Sequence, residues 1–117
     1  MIKEFKEKLM EHINKTMNVY YEEAPSDATF PYGVIPTLSI SDLTYGFQCL
    51  FDIEVYASEL SDIDADSLID SLRDALSGYC FRNTNVGFYV SFDNEYLNRF
   101  NDQDFVERRI SFIARIF

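Results

Sequence analysis

The chain has 117 residues, of which 47% are hydrophobic and 16% aromatic, a composition typical of one globular domain with its own core. With 4 Gly and 3 Pro, and no apolar run near the ~18 residues of a membrane helix, the low-complexity and transmembrane classes are excluded. Ten Lys and Arg against twenty Asp and Glu give a net charge of −10, which repels polyanions and disfavours direct nucleic-acid recognition.

The first third of the chain predicts a helix followed by two short strands. Apolar residues recur at three- and four-residue steps from Ile2 to Met17, which is typical of an amphipathic helix. The charged start of this segment lacks an apolar signal core, so we expect no secretory signal. Val19–Tyr21 is β-branched and aromatic and predicts a short strand. Tyr32–Ile40 predicts a second strand, in which Pro36 cannot donate to the ladder, so we expect an edge position or a bulge there.

The middle of the chain predicts a long strand and a second helix. Every odd position from Tyr45 to Ala57 is apolar, which indicates a strand with one face in the core. Apolar residues then recur at helical spacing from Ala65 to Leu76, and Gly78 is suited to end the helix. The candidate N-caps of this helix are Ser61, Asp62 and Asp64.

The last third predicts a hairpin with a long connection. Val86–Phe92 and Val106–Ile116 both alternate apolar and polar residues. The connection Asp93–Gln103 is longer than an ordinary hairpin loop, and such long loops are often where function resides.

This order of elements predicts an α+β fold. The economical arrangement is a two-layer sandwich, in which an antiparallel or mixed sheet of four to five strands carries two helices on one face. The sequence has no internal repeat and no linker, so we expect a single domain, residues 1–117.

No arrangement of residues predicts catalysis or metal binding. His12 is the single histidine, and no nucleophile or orienting carboxylate lies near it at a known spacing. The run Asp62–Asp66 begins like a calcium loop, but Ser67 and Arg73 replace the required glycine and the bidentate glutamate. We therefore expect no catalytic, cofactor-binding or metal-binding residues, and not an enzyme.

The two cysteines have no spacing typical of a metal site. Cys49 and Cys80 both lie in apolar stretches. We expect two reduced, buried thiols.

Five residues of the last third are candidates for a subunit or partner interface. Arg108 and Arg109 lie on opposite faces of the last strand, so one of them faces the core side, and an internal ion pair and a subunit contact both remain open. Tyr96 and Phe100, with Arg99 in the same predicted loop, either fold back over the core or dock onto a partner.

Several segments together resemble the tail terminator or tail completion proteins of long-tailed bacteriophages. They are the opening helix, the strand Val19–Tyr21 running into Pro25, the segment Phe30–Ile35, the end of the long strand Phe51–Tyr56 and the helix Ala65–Leu76. The resemblance covers Met1 to about Leu76, and its one short motif is Pro31-Tyr32 leading into an apolar strand.

The resemblance implies a structural role without catalytic residues or cofactors. Such proteins are small α+β subunits that form a hexameric ring on the head-proximal end of the tail tube, stop its polymerisation and join the head. The implied partners are further copies of the chain, the tail tube protein and a head-side connector. DNA would pass through without specific binding, no membrane is involved, and the location is the virion after synthesis in the bacterial cytoplasm.

The acidic charge adds a hypothesis about a channel, and two alternatives to the tail terminator role stay open. Acidic walls would repel DNA phosphates in a channel, and the candidates for such a lumen face are Asp62, Asp66, Asp70 and Asp74. Another neck or head-tail connector component fits the same resemblance. A further alternative is a small acidic DNA mimic or interaction protein, although lysines of the first helix interrupt a continuous acidic face: Lys3, Lys6, Lys8 and Lys15.

Overall fold

The computed structural model describes residues 2–58, 62–99 and 105–117. The elements, in chain order, are α1 (Ile2–Ile13), β1 (Val19–Tyr21), β2 (Tyr32–Ile35), β3 (Leu38–Leu43), β4 (Gly46–Ser58), α2 (Asp62–Leu76), β5 (Cys80–Arg82), β6 (Gly87–Arg99) and β7 (Phe105–Ile116). Neither helix in these ranges is long and apolar enough to cross a membrane.

The strands form one seven-stranded sheet in the order β1-β2-β4-β7-β6-β5, with β3 paired to β4 beside β2. β1 and β2 are parallel, and the other described pairs are antiparallel. The sheet curls into a half-barrel, so the expected two-layer sandwich of four to five strands with two helices on one face is wrong. Because β4, β6 and β7 have 12 or 13 residues each, the twist along and between them accumulates into a curl.

Pro36 divides the predicted strand Tyr32–Ile40 into two. β2 pairs with the C-terminal half of β4, through Tyr32 and Tyr56, and β3 pairs with its N-terminal half. Pro36 lies between β2 and β3 and β3 is at an edge of the sheet, as the missing N–H donor predicts.

Alternation along β4 sorts its side chains onto two faces, as predicted, except that Tyr45 precedes the strand and is exposed. The core face carries buried odd-numbered residues such as Phe51, Ile53 and Val55, and the exposed face carries the even-numbered ones. Side chains of both helices join the same core, and the main helical contributors are Phe5, Leu9, Ile13, Ile69, Leu72 and Leu76. Burial of these apolar stripes is the principal stabilisation of the fold.

The prediction of a long loop at Asp93–Gln103 is wrong for the residues up to Arg99, because β6 continues to Arg99. The register between β6 and β7 shifts at Asp93: Phe92 pairs with Phe112, but Asn94 pairs with the next residue, Ser111. This β-bulge inserts one extra residue and reverses the alternation beyond it. The polar run after Phe92 is therefore a strand whose pattern has shifted by one position.

The single histidine joins the two helices. His12 Nε2 lies 2.9 Å from the carbonyl oxygen of Ala75, which is in the last turn of α2. Its ring also stacks on Tyr79, with 3.6 Å between ring centroids and an interplanar angle of 7°. These contacts account for His12 as a packing residue.

One of the two cysteines differs from the expectation. Cys49 is buried in the core, and burial raises the pKa of its thiol to about 12. Cys80 is a free, exposed thiol on β5, so its predicted burial is wrong. Cys80 lies on the exposed face of β5, a short strand at the edge of the sheet, although its apolar neighbours in sequence suggested a place in the core.

The tight turn between β3 and β4 gives a first prediction. Gly46 has φ of +118°, and a Cβ there would collide with the carbonyl oxygen of Ile116. We expect Gly46→Ala to lower the free energy of unfolding by about 3 kcal/mol, since backbone strain and collision add. The matched control is Gly78→Ala, because Gly78 has φ of +80° with open space around it, and we expect it to lose only about 1 kcal/mol. Urea unfolding followed by circular dichroism measures both, and equal losses would contradict the prediction.

Candidate functional site

Polar side chains form a connected cluster in the middle of the exposed face of the sheet. Tyr56 Oη donates to Glu54 Oε2 at 2.6 Å, and Arg109 Nη2 donates to Glu54 Oε1 at 3.2 Å. The same Arg109 Nη2 lies 3.6 Å from Glu107 Oε1. Next to them, Ser111 Oγ donates to Asp52 Oδ1 at 2.5 Å. β4 and β7 bring these groups together because their direct partners share one face.

The cluster holds more negative than positive charge. Glu54 and Glu107 share one guanidinium, that of Arg109. The side chain of Glu107 is only 6% exposed, and its pKa is raised by burial and then by the charge of Glu54, which Arg109 partly offsets. Burial and the hydrogen bond to Glu54 likewise raise the pKa of Tyr56.

The cluster offers charge and hydrogen bonding for a contact rather than a metal site. In residues 2–58, 62–99 and 105–117, no group of three or more His, Cys, Asp or Glu side chains is placed to hold a metal ion. That the chain is not an enzyme stays a prediction.

Glu107 gives a prediction about pH. Its pKa in the folded state is raised above the ordinary value of 4.5, so between those two values the folded state holds a proton that the unfolded state releases. Stability from this group is therefore lost as the pH rises through that range. We expect the stability of wild type minus that of Glu107→Gln to fall as the pH is raised from about 4 to 8.

Denaturant unfolding at a series of pH values measures this difference. Glu7→Gln is the control, because Glu7 is an exposed carboxyl on α1 outside the cluster. A wild-type stability that tracks Glu107→Gln at every pH would contradict the prediction.

An apolar surface lies at one end of the exposed face, where the β3–β4 hairpin, the start of β6 and the end of β7 meet. We call it the hairpin-end patch, and its members are Leu43, Tyr45, Tyr89, Ile113, Arg115 and Phe117. Tyr45 is 88% exposed, and Leu43, Tyr89 and Phe117 are also exposed large hydrophobic residues. A contiguous exposed apolar surface of this kind is typical of a protein interface.

The two predicted arginines both form internal ion pairs, on opposite sides of the sheet. Arg108 Nε donates to Asp66 Oδ1 of α2 at 2.9 Å, and its side chain is 11% exposed. Arg109 lies on the exposed face with Glu54 and Glu107. Of the two open alternatives, the ion pair is present for both residues, and contact of either with another subunit stays a prediction.

The predicted aromatic loop is replaced by a strand as far as the structure describes it. Tyr96 pairs in register with Arg109, and Arg99 pairs with Val106. Their assignment to a loop is therefore wrong, although their role at an interface is untested. Phe100 lies outside the described residues.

The acidic side of α2 is exposed where the structure describes its side chains. Asp66, Asp70 and Asp74 are exposed, and Asp66 is held by Arg108. Asp62 begins the helix, and its side chain lies outside the described residues. The predicted lumen face thus contains two acids without a basic partner, Asp70 and Asp74, in the described part of the chain.

The Arg108–Asp66 pair gives a prediction about how α2 is held. Asp66→Asn removes the charge opposite a largely buried guanidinium, so we expect a loss of about 1 to 2 kcal/mol in the free energy of unfolding. Asp70→Asn is the control one helical turn away, and we expect a change within about 0.5 kcal/mol. Thermal and urea unfolding measure both, and an unchanged Asp66→Asn protein would contradict the prediction.

Sequence reasoning did not find the hairpin-end patch. Two signals were present, namely Leu50 and Ile113, which are apolar residues at positions where the alternation of β4 and β7 calls for polar ones. They pair directly across the exposed face next to the patch. Apolar residues on the wet side of an amphipathic strand are the sequence feature that marks such a surface.

No family model matches the chain, and no curated protein matches it. The fold is similar to that of a chain in a solved structure described as the virion of a native gene transfer agent (GTA) particle, with a TM-score of 0.71 and 17% sequence identity. The similarity covers 92% of this chain and 93% of that chain. Two chains that align over nearly their whole lengths at this score share a fold.

Proposed function

We propose that the chain is a structural protein of a bacteriophage or phage-like virion. The observation that carries the proposal is the similarity to a chain of the GTA virion over 92% of this chain. A common fold does not by itself fix function. The structural similarity supports the proposal because the sequence from Met1 to about Leu76 also resembles phage proteins, namely tail terminator or tail completion proteins.

Within the virion, the role that we propose is that of a tail terminator or tail completion subunit. Copies of the chain form a ring at the head-proximal end of the tail tube, stop its polymerisation and join it to the head. A ring requires contacts between unlike surfaces of identical copies. The hairpin-end patch, with several exposed large hydrophobic residues, is suited to be one of these two surfaces.

The acidic side of α2 is suited to the channel of such a ring. Asp70 and Asp74 are exposed carboxylates without a basic partner among the described residues. Carboxylates that line a channel repel phosphates and let DNA pass without being held.

The proposal is tested by light scattering on a size-exclusion column, followed by negative-stain imaging with and without purified tail tubes. We expect rings with a central hole that cap one end of each tube and prevent its further growth when tube protein is added. Rings that bind a head-side connector and not the tube would instead assign the chain to another position in the neck. Failure to form rings, alone or on tubes, together with no binding to either partner, would contradict the proposal.

A DNA-delivery assay with assembled particles tests the channel. The double variant Asp70→Asn with Asp74→Asn is expected to form rings and particles as wild type does but to deliver DNA less efficiently. Unchanged delivery by intact particles would remove the lumen role from these residues and leave the ring itself in place.

A further inference from the structure

The hairpin-end patch carries the positive charge of Arg115, which has no counterion among the described residues. Arg115 is exposed and lies between the apolar members on either side of it, which line concavities that share Arg115 and Phe117. Among the residues that the structure describes, Arg115 forms no salt bridge. Asp42, next to Leu43 in sequence, belongs to the other face of the sheet, because it pairs with the core-face residue Phe47.

This charge makes the patch unsuited to bind itself. A twofold contact of the patch with its own copy would bring two copies of Arg115 into one largely apolar contact, to which the patch itself contributes no carboxylate. A chain with twenty acidic residues against ten basic ones offers carboxylates elsewhere on its surface. The partner surface on a second copy is therefore a different one, and it is acidic.

Among the residues that the structure describes, the connection between β1 and β2 is an exposed segment that combines acids with a large apolar side chain. The connection between β1 and β2 carries Glu22, Glu23 and Asp27, all exposed, and then Phe30, which is 44% exposed. Phe30 stacks on Tyr32 with 5.7 Å between ring centroids, and Glu22 N donates to the carbonyl oxygen of Ile35 at 2.8 Å. We call Glu22, Glu23, Asp27 and Phe30 the acidic turn. Its anchoring to β2 holds the segment against the sheet.

The hairpin-end patch and the acidic turn lie near opposite ends of β4. The hairpin-end patch adjoins Gly46 at the start of β4, and Tyr32, on which Phe30 stacks, pairs with Tyr56 near its end. Ten residues of extended strand separate these points by about 33 Å, against a longest dimension of 45 Å for the chain. A contact between them cannot close within one subunit.

We infer that the hairpin-end patch of one copy docks onto the acidic turn of a second copy, with Arg115 against its carboxylates and the exposed aromatic side chains against each other. The contact is head-to-tail, so it propagates from copy to copy and closes only as a ring. The inference rests on the proposed function, which requires a ring. It deepens that function by naming the contact between neighbouring copies in the ring.

A charge exchange tests the contact. Sedimentation velocity over a wide concentration range measures association of wild type, of Arg115→Glu, of Glu23→Lys with Asp27→Lys, and of the three changes together. We expect each charge reversal alone to weaken association about tenfold or more, because like charges then meet. The combined variant is expected to regain wild-type association within about threefold, since opposite charges are restored.

Lys15→Glu is the matched control, because Lys15 is exposed just after α1 and belongs to neither surface. It is expected to associate as wild type does, and thermal unfolding checks that every variant is folded. Additive losses without rescue in folded variants would overturn the inference. Wild-type protein that stays monomeric at all concentrations would also overturn it.

A photoreactive group at Tyr45 locates the contact directly. Crosslinks from Tyr45 to residues 22–32 of a second copy are expected, and mass spectrometry of mixed isotope-labelled and unlabelled protein distinguishes them from crosslinks within one chain. Crosslinks between two copies of Tyr45, or none between copies, would overturn the inference. Incorporation into particles with crosslinks elsewhere would leave the proposed function standing while this contact fails.

Discussion

The pairing of β4 with β7 is the constraint on which the rest of the structure depends. It runs without a register shift from Phe47 and Ile116 to Ser58 and Phe105. Because direct partners share a face, this one register decides which side chains enter the core and which form the polar cluster on the opposite face. A slip of one residue would put Ile53 outside and Glu54 inside, so the buried apolar face fixes the polar one.

The core face was largely predictable because burial leaves a periodic pattern. Alternation in β4 and helical spacing up to Leu76 predicted these elements within a few residues. The sheet as a whole was not predictable, because its curl depends on strand length and twist, and alternation does not identify neighbours. The first half of β6 was predicted as Val86–Phe92, but the part after Phe92 was missed, because the bulge at Asp93 shifts the pattern and a shifted strand resembles a polar loop.

The candidate site was less predictable than the core for a physical reason. Arg108 and Arg109 were found, since adjacent charges on a strand must face opposite ways, but their partners come from elements distant in sequence. The hairpin-end patch joins residues from three parts of the chain, and each taken alone is an unremarkable exposed side chain. Surfaces of this kind are set by strand neighbours, which only the fold supplies.

The long β4–β7 ladder also acts as a stiff spacer between the two ends of the subunit. Twelve consecutive pairs resist bending far more than a loop does, so the angle between the hairpin-end patch and the acidic turn is held by the twist of the strands. In a closed assembly, that angle determines how many copies complete the circle. If the proposed contact builds a ring, the number of subunits would follow from the curvature of the sheet, and the side chains at the contact would set how tightly neighbouring copies are held.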